Sequence, residues 1–164
     1  MTFEEFKSNV EQWAEARGIY EHSTALAQAL KAVSEVGELA DAVIKDDKDA
    51  LKDAIGDTAV CIVNAAKMIG ADISLGEVTD KDRGNCDKTC AALCAYYVSD
   101  LATGIALGYE LWSIEDAIEY SLLNLSCLAE KSDLEFMDCC EAAWHVIKKR
   151  TGKMVAGGAF VKDE

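Results

Sequence analysis

Glu35-Val36-Gly37-Glu38, then Asp53-Ala54-Ile55-Gly56-Asp57 and Asn64, set four carboxylates and one amide on two successive segments of helical character. At about 100° per residue, Gln28, Lys31, Glu35 and Glu38 share one stripe of the first segment. That stripe lies opposite Leu26, Leu30, Val33, Gly37 and Ala40. On the second segment Asp53, Asp57, Val60 and Asn64 lie opposite Leu51, Ile55, Ile62 and Ile69. Carboxylates gathered in this way repel one another unless a hard cation lies between them, and Mg²⁺ prefers oxygen ligands. The pattern points to a Mg²⁺ site on a helical hairpin and to chemistry on phosphates. Gly37 and Gly56 stand beside carboxylates in helix interiors, where glycine costs up to about 1 kcal/mol relative to alanine. Close approach of two helices explains them. The alternative reading of these acids is a solvated outer face; composition and spacing alone leave both readings open.

The neighbouring segments are helical as well. Phe3, Phe6, Val10 and Trp13 predict a first helix ending near Arg17-Gly18. Ser23-Thr24 cap a second, running to about Lys45 with the apolar stripe Leu26, Leu30, Val33, Gly37, Ala40 and Ile44. Asp46-Asp47 make a turn, and Leu51, Ile55, Ala59, Ile62, Ala66 and Ile69 mark a third helix that stops at Gly70. Residues 71–85 are polar and read as a connector. Helices are predicted again over 87–107, 113–130 and 133–150, with Ser113-Ile-Glu-Asp and Ser132-Asp-Leu-Glu as N-terminal caps. In the tail, 151–164, Met154, Val155, Phe160 and Val161 predict docking on the body.

The totals agree with an all-α chain. Its 164 residues are half apolar and include no proline, against an average usage of about 5%. The formal net charge of −14 would repel nucleic acid and anionic membranes, so neither is an expected partner. No uninterrupted apolar run reaches the roughly 18 residues of a membrane span. Seven cysteines occur, none at zinc-finger spacing with histidines. Cys86, Cys90 and Cys94 follow helical spacing and Cys139-Cys140 are adjacent, which reads as buried, reduced thiols in a cytoplasm.

A faint internal repeat is present. Val33-Ser34-Glu35 is echoed by Val98-Ser99-Asp100, and Asp53-Ala54-Ile55 by Asp116-Ala117-Ile118, at nearly equal offsets. Thr103 then stands for Glu38 and Tyr120 for Asp57. The expectation is one domain over 1–164: a metal-binding half (1–70), a connector (71–86), a degenerate second hairpin (87–131), and a closing helix and tail (132–164). Chance likeness between amphipathic helices is the alternative.

The stretch Gln28-Ala-Leu-Lys31-Ala-Val-Ser-Glu35-Val-Gly-Glu38-Leu39, with Lys52-Asp53-Ala-Ile-Gly-Asp57, resembles the MazG family of all-α nucleoside triphosphate pyrophosphohydrolases. That family's signature is E-x-x-E on one helix and E-x-x-D on the next. Gln12-Trp13-Ala14 with Arg17-Gly18-Ile19 resembles the opening helix of its phage-type branch. Ala143-Trp144, Ile147-Lys148, Arg150, Gly152-Lys153-Met154 and Phe160-Val161-Lys162 resemble the closing segment. The first acid of E-x-x-D falls on Ala54, a departure that Asp53, one residue earlier, compensates. His145 replaces a frequent asparagine and is assigned no role.

The resemblance implies a helical bundle of two hairpins, usually from separate subunits but here fused in one chain, with further homo-oligomerisation expected. It implies hydrolysis of a nucleoside triphosphate between the α and β phosphates, giving a monophosphate and pyrophosphate. Glu35, Glu38 and Asp57 would hold Mg²⁺ (Mn²⁺ as a substitute), assisted by Asp53, and Glu35 or Glu38 would accept the proton of the attacking water. Lys31 would contact a phosphate, an i, i+4 salt bridge being the alternative. Asn64 would orient a ligand or the sugar, or else satisfy a buried contact. Arg150 and Lys153 would reach phosphates, or else be solvated charges. Trp13 is core, or stacks on a base. Two rival classes remain open: a dUTPase- or dCTPase-type all-α enzyme, and a catalytically inactive helical protein that binds nucleotides or partners.

Overall fold

Lys48–Ile69 form the helix around which the others are arranged. From Ala54 to Ala66 every residue except Asp57 is buried, so this helix is apolar almost all round, as a central bundle helix must be. The computed structural model describes residues 1–156, 158 and 160–163. Among them are α1 (Phe3–Ala16), α2 (Ile19–His22), α3 (Ala25–Lys45), the central α4 (Lys48–Ile69), α5 (Asp87–Leu107), α6 (Leu111–Lys131) and α7 (Phe136–Ile147). An antiparallel pair, β1 (Gly152–Met154) and β2 (Phe160–Lys162), closes the order. The fold is all-α with that one small hairpin added. The tail expectation also took in residues 157, 159 and 164, which lie outside the described residues.

α3 and α4 pair along their lengths, α5 and α6 form a second hairpin, and α5 lies against α3. The two hairpins thus pack together within one chain. Their second helices share a detail: Thr58 donates to the Ala54 carbonyl and Ser121 to the Ala117 carbonyl, each at 2.7 Å. α5 is long and apolar enough to cross a membrane by length and composition. Here it buries Cys90, Cys94, Val98 and Leu101 in the bundle.

Several local expectations are corrected. The apolar stripe assigned to α3 is not its buried face: Leu30 is 55% and Ile44 76% exposed, while Ala29, Ala32, Val36, Leu39 and Val43 face the core. α3 is held between α4 and α5, and alanines allow both to come close. Gly56 does mark a close approach, but by α7: a Cβ there would collide with the Cys139 carbonyl oxygen and stand 2.7 Å from the Ala143 Cβ. Gly37 is exposed, and a Cβ there would meet nothing within 4 Å. Ser113 lies inside α6, whose N-cap is Glu110. Ser132 ends α6 rather than beginning α7, which starts after Glu135. Cys86 is exposed; the other six cysteines are buried and all seven are free thiols.

α1 crosses α4 in the opposite direction. Lys7 donates to the Ile73 carbonyl at 3.1 Å and Glu11 pairs with Lys67 at 2.9 Å. The tail docks as expected: Phe160 meets Trp13 edge-on at 6.0 Å, and Arg17 donates through Nε and Nη2 to the Arg150 carbonyl at 3.1 and 2.8 Å.

Candidate active site

The α3–α4 hairpin brings Glu35 and Asp57 to the wall of one cavity of about 450 Å³. Lys31 from α3, Cys61 and Asn64 from α4, and Arg150 after α7 share that wall, and Trp13 and Phe160 are among the other residues that line it. Glu35 is only 6% exposed, and a carboxylate withdrawn from water needs a partner. Lys31, one turn earlier, supplies it by donating Nζ to Oε1. Partial burial opposes the Lys31 charge, but the Glu35 carboxylate, helped by Glu38, outweighs it and holds the ammonium above its usual value.

Asp57 is in a more stressed position. Partial burial pushes its carboxyl above the ordinary aspartate value; Arg150 opposes that, and the charges of Glu35 and Asp53 add to it. The Arg150 Nη2 lies 3.8 Å from Oδ2, a distance that leaves the pair loose. Cys61, one turn on, is buried, and its thiol is pushed up first by that burial and then by Glu35. A thiol held neutral in this way is no nucleophile. Asn64, 2% exposed, accepts the Tyr20 hydroxyl at 2.9 Å on Oδ1.

The expected residues therefore divide. Lys31, Glu35, Asp57, Asn64 and Arg150 meet at the cavity. Glu38 and Asp53 are exposed and stand outside its wall, flanking the first group and acting on Lys31 and Asp57 through charge. Lys153 is exposed on β1, away from the wall. Ala54 is 5% exposed and packs in the core. Among the described residues no three Asp, Glu, His or Cys side chains converge on one point. Mg²⁺ needs no such cage: it keeps several waters and is held by one or two carboxylates together with substrate phosphates. Two hard oxygen donors at a cavity wall, one of them strained by neighbouring negative charge, fit that ion.

Three contributors escaped the sequence reading. Tyr20 sits on the four-residue α2, too short to show a periodicity. Cys61 looked like one more apolar core position. Arg17 had a signal, since it stands one turn after Trp13 and lies over that ring at 5.3 Å.

Residues 23–89 match the family model described as the MazG nucleotide pyrophosphohydrolase domain, so this stretch of the chain is similar to that family. Over 70 residues the chain is also 43% identical to an uncharacterized 18.2 kDa protein of the rep-hol intergenic region of Haemophilus phage HP1 (strain HP1c1). That match covers 43% of each chain, so less than half of the relative's length is spanned. No solved structure matches. Glu35, Glu38, Asp53, Asp57 and Asn64 lie inside the MazG segment; Trp13, Arg150 and Phe160 lie outside it.

Proposed function

We propose that the protein is a Mg²⁺-dependent nucleoside triphosphate pyrophosphohydrolase, converting an NTP or dNTP to the monophosphate and pyrophosphate. The observation that carries this reading is the meeting of Glu35 and Asp57, from two helices of the MazG segment, at one cavity that also holds Lys31 and Arg150. Glu35 is buried and paired with Lys31, while the half-buried Asp57 is only loosely paired with Arg150, so its carboxylate is open to a further cation. A triphosphate brings negative charge that two carboxylates alone would repel, so the acids and the substrate both call for a cation between them.

Glu35 and Asp57 would hold the metal, with Glu38 and Asp53 at its rim. When bound, Mg²⁺ would neutralise the phosphates and make a coordinated water more acidic. Arg150, only loosely paired with Asp57, can turn its guanidinium to a phosphate oxygen, a geometry in which arginine binds bidentately. Lys31 pairs with the Glu35 carboxylate and holds it at the cavity wall. Glu38, exposed at the rim and outside the cavity wall, would take the proton from the attacking water once substrate and metal extend to it. The apolar wall at Cys61 and Val60 would limit water around a bound substrate.

The test is turnover of an NTP and dNTP panel with and without Mg²⁺, in the wild type and in Glu35→Gln. The expected result is metal-dependent turnover that falls at least about a hundredfold in the variant, the scale of losing a transition-state ligand or charge. Unchanged turnover in Glu35→Gln would remove the site from the mechanism.

A further inference from the structure

Arg17 ends α1 and is half-buried, yet among the described residues its guanidinium pairs with no carboxylate. Its side-chain hydrogen bonds there all end on main-chain carbonyls. Nε and Nη2 both donate to Arg150, at 3.1 and 2.8 Å, and Nη2 also lies 3.5 Å from the Lys148 oxygen. The guanidinium stands over the Trp13 ring at 5.3 Å. A planar fork of donors suits a carboxylate or a phosphate best. Aiming two of those donors at one peptide oxygen, 133 residues along the chain, calls for a reason beyond charge.

The reason lies in what that peptide carries. Arg150 follows α7 in a turn, its N–H donating to the Ile147 carbonyl at 2.9 Å. Ile147 is fixed in the core, 1% exposed. The Arg150 carbonyl is fixed by Arg17, and the next carbonyl, of Thr151, accepts from the Asp163 N–H at 3.0 Å. With the amides on both sides held, the two soft dihedrals of Arg150 are set, and so is the direction of its Cβ. From that root the side chain runs to the cavity wall, where Nη2 stands 3.8 Å from the Asp57 carboxylate. An unanchored arginine has many rotamers to lose on binding an anion. Anchoring its main chain limits where the guanidinium can go.

We infer that Arg17 is a positioning residue for the phosphate-binding part of the cavity: it clamps the Arg150 peptide and so holds the Arg150 guanidinium where a triphosphate would meet it. The inference rests on the reading of Arg150 as a phosphate contact. Arg17 itself touches no substrate and acts through Arg150. The two arginines lie on opposite sides of residues 23–89. A contact made jointly by the two flanks would thus complete a site whose acids come from the segment between them.

Arg17→Met keeps the alkyl packing and removes the donors; Arg17→Lys restores one donor and the charge. KM and kcat for a Mg²⁺-bound nucleoside triphosphate are measured in wild type, in both variants, in Arg150→Ala and in Arg17→Met/Arg150→Ala. Arg17→Met should raise KM about tenfold, the value of one charge-assisted hydrogen bond, with kcat held within about twofold. Arg17→Lys should recover part of the loss, and it carries the comparison with wild type if Arg17→Met does not fold. Added to Arg150→Ala, Arg17→Met should change KM no further. Glu11→Gln is the control for simple loosening of α1, since it breaks the Glu11–Lys67 pair on the same helix; its KM should equal that of wild type. Additive effects in the double variant, an equal loss in Glu11→Gln, or a wild-type KM in Arg17→Met would each overturn the inference. Calorimetry with inorganic triphosphate and Mg²⁺ separates it from the hydrolysis reading. Weaker binding in Arg17→Met supports the inference even if no nucleotide is turned over; equal binding, or none to wild type, overturns it.

Discussion

Asp57 carries the clearest single-residue consequence. Its carboxyl is raised above the ordinary value of 3.8, chiefly by burial and further by Glu35 and Asp53, against Arg150. In the window just above 3.8 the native state holds the proton more firmly than the unfolded chain. The slope of unfolding free energy with pH is negative wherever the native state binds more protons. Stability without metal is therefore fullest below the unfolded value and declines as pH rises through the folded one. Asp57→Asn escapes that decline. In metal-free buffer it should match wild type in acid and exceed it at neutral pH, as read from urea melts across the range. A variant less stable than wild type at neutral pH would mean that the Arg150 pairing outweighs the burial. Ala54 shows what a sequence conveys at this scale. Its mismatch with the family pattern was plain, but only packing shows that it is a core residue, with Asp53 beside it facing solvent.

At the scale of the element, helix ends were legible and helix faces less so. Thr24 and Asp47 cap α3 and α4 through their side-chain oxygens, and Gly70 and Gly108 end α4 and α5 in left-handed conformation. These signals are local chemistry and survive folding unchanged. The face of α3 was misread because leucine and isoleucine outweigh alanine on any hydrophobicity scale, whereas a helix between two others buries its smallest residues. Ser113 and Ser132 fit the cap pattern but sit where the chain continues or ends a helix. The two glycines of the acidic segments now part company. Gly56→Ala should cost about 1–3 kcal/mol, because the methyl meets the α7 backbone. Gly37→Ala should gain up to about 1 kcal/mol, since its Cβ enters open space in a helix interior. Urea unfolding of both variants checks the pair; equal effects would deny the α4–α7 contact.

At the scale of the molecule, the second hairpin packs against the first within one chain. α5 lies along α3, and the position answering to Asp57 is occupied by Tyr120, stacked on Tyr97 at 4.9 Å. The fused pair with one working half is our proposal, drawn from the repeat in the sequence and consistent with this packing. It follows that turnover per chain should stay constant on dilution through any oligomer dissociation, measured alongside light scattering. Loss of specific activity on dilution would show that the site needs a second copy. The outer segments were the least legible part of the whole. Trp13 and Phe160 reach the cavity, and Tyr20 reaches Asn64 at its wall, only through long-range packing, which no local pattern encodes.

The central claim is the bond that is broken. Resolving the products of a Mg²⁺-supported reaction by anion-exchange chromatography tests it most directly. The proposed reaction yields nucleoside monophosphate and pyrophosphate in equal amounts, both absent in Glu35→Gln. Nucleoside diphosphate with inorganic phosphate, or no product from any triphosphate offered to the folded protein, would contradict it.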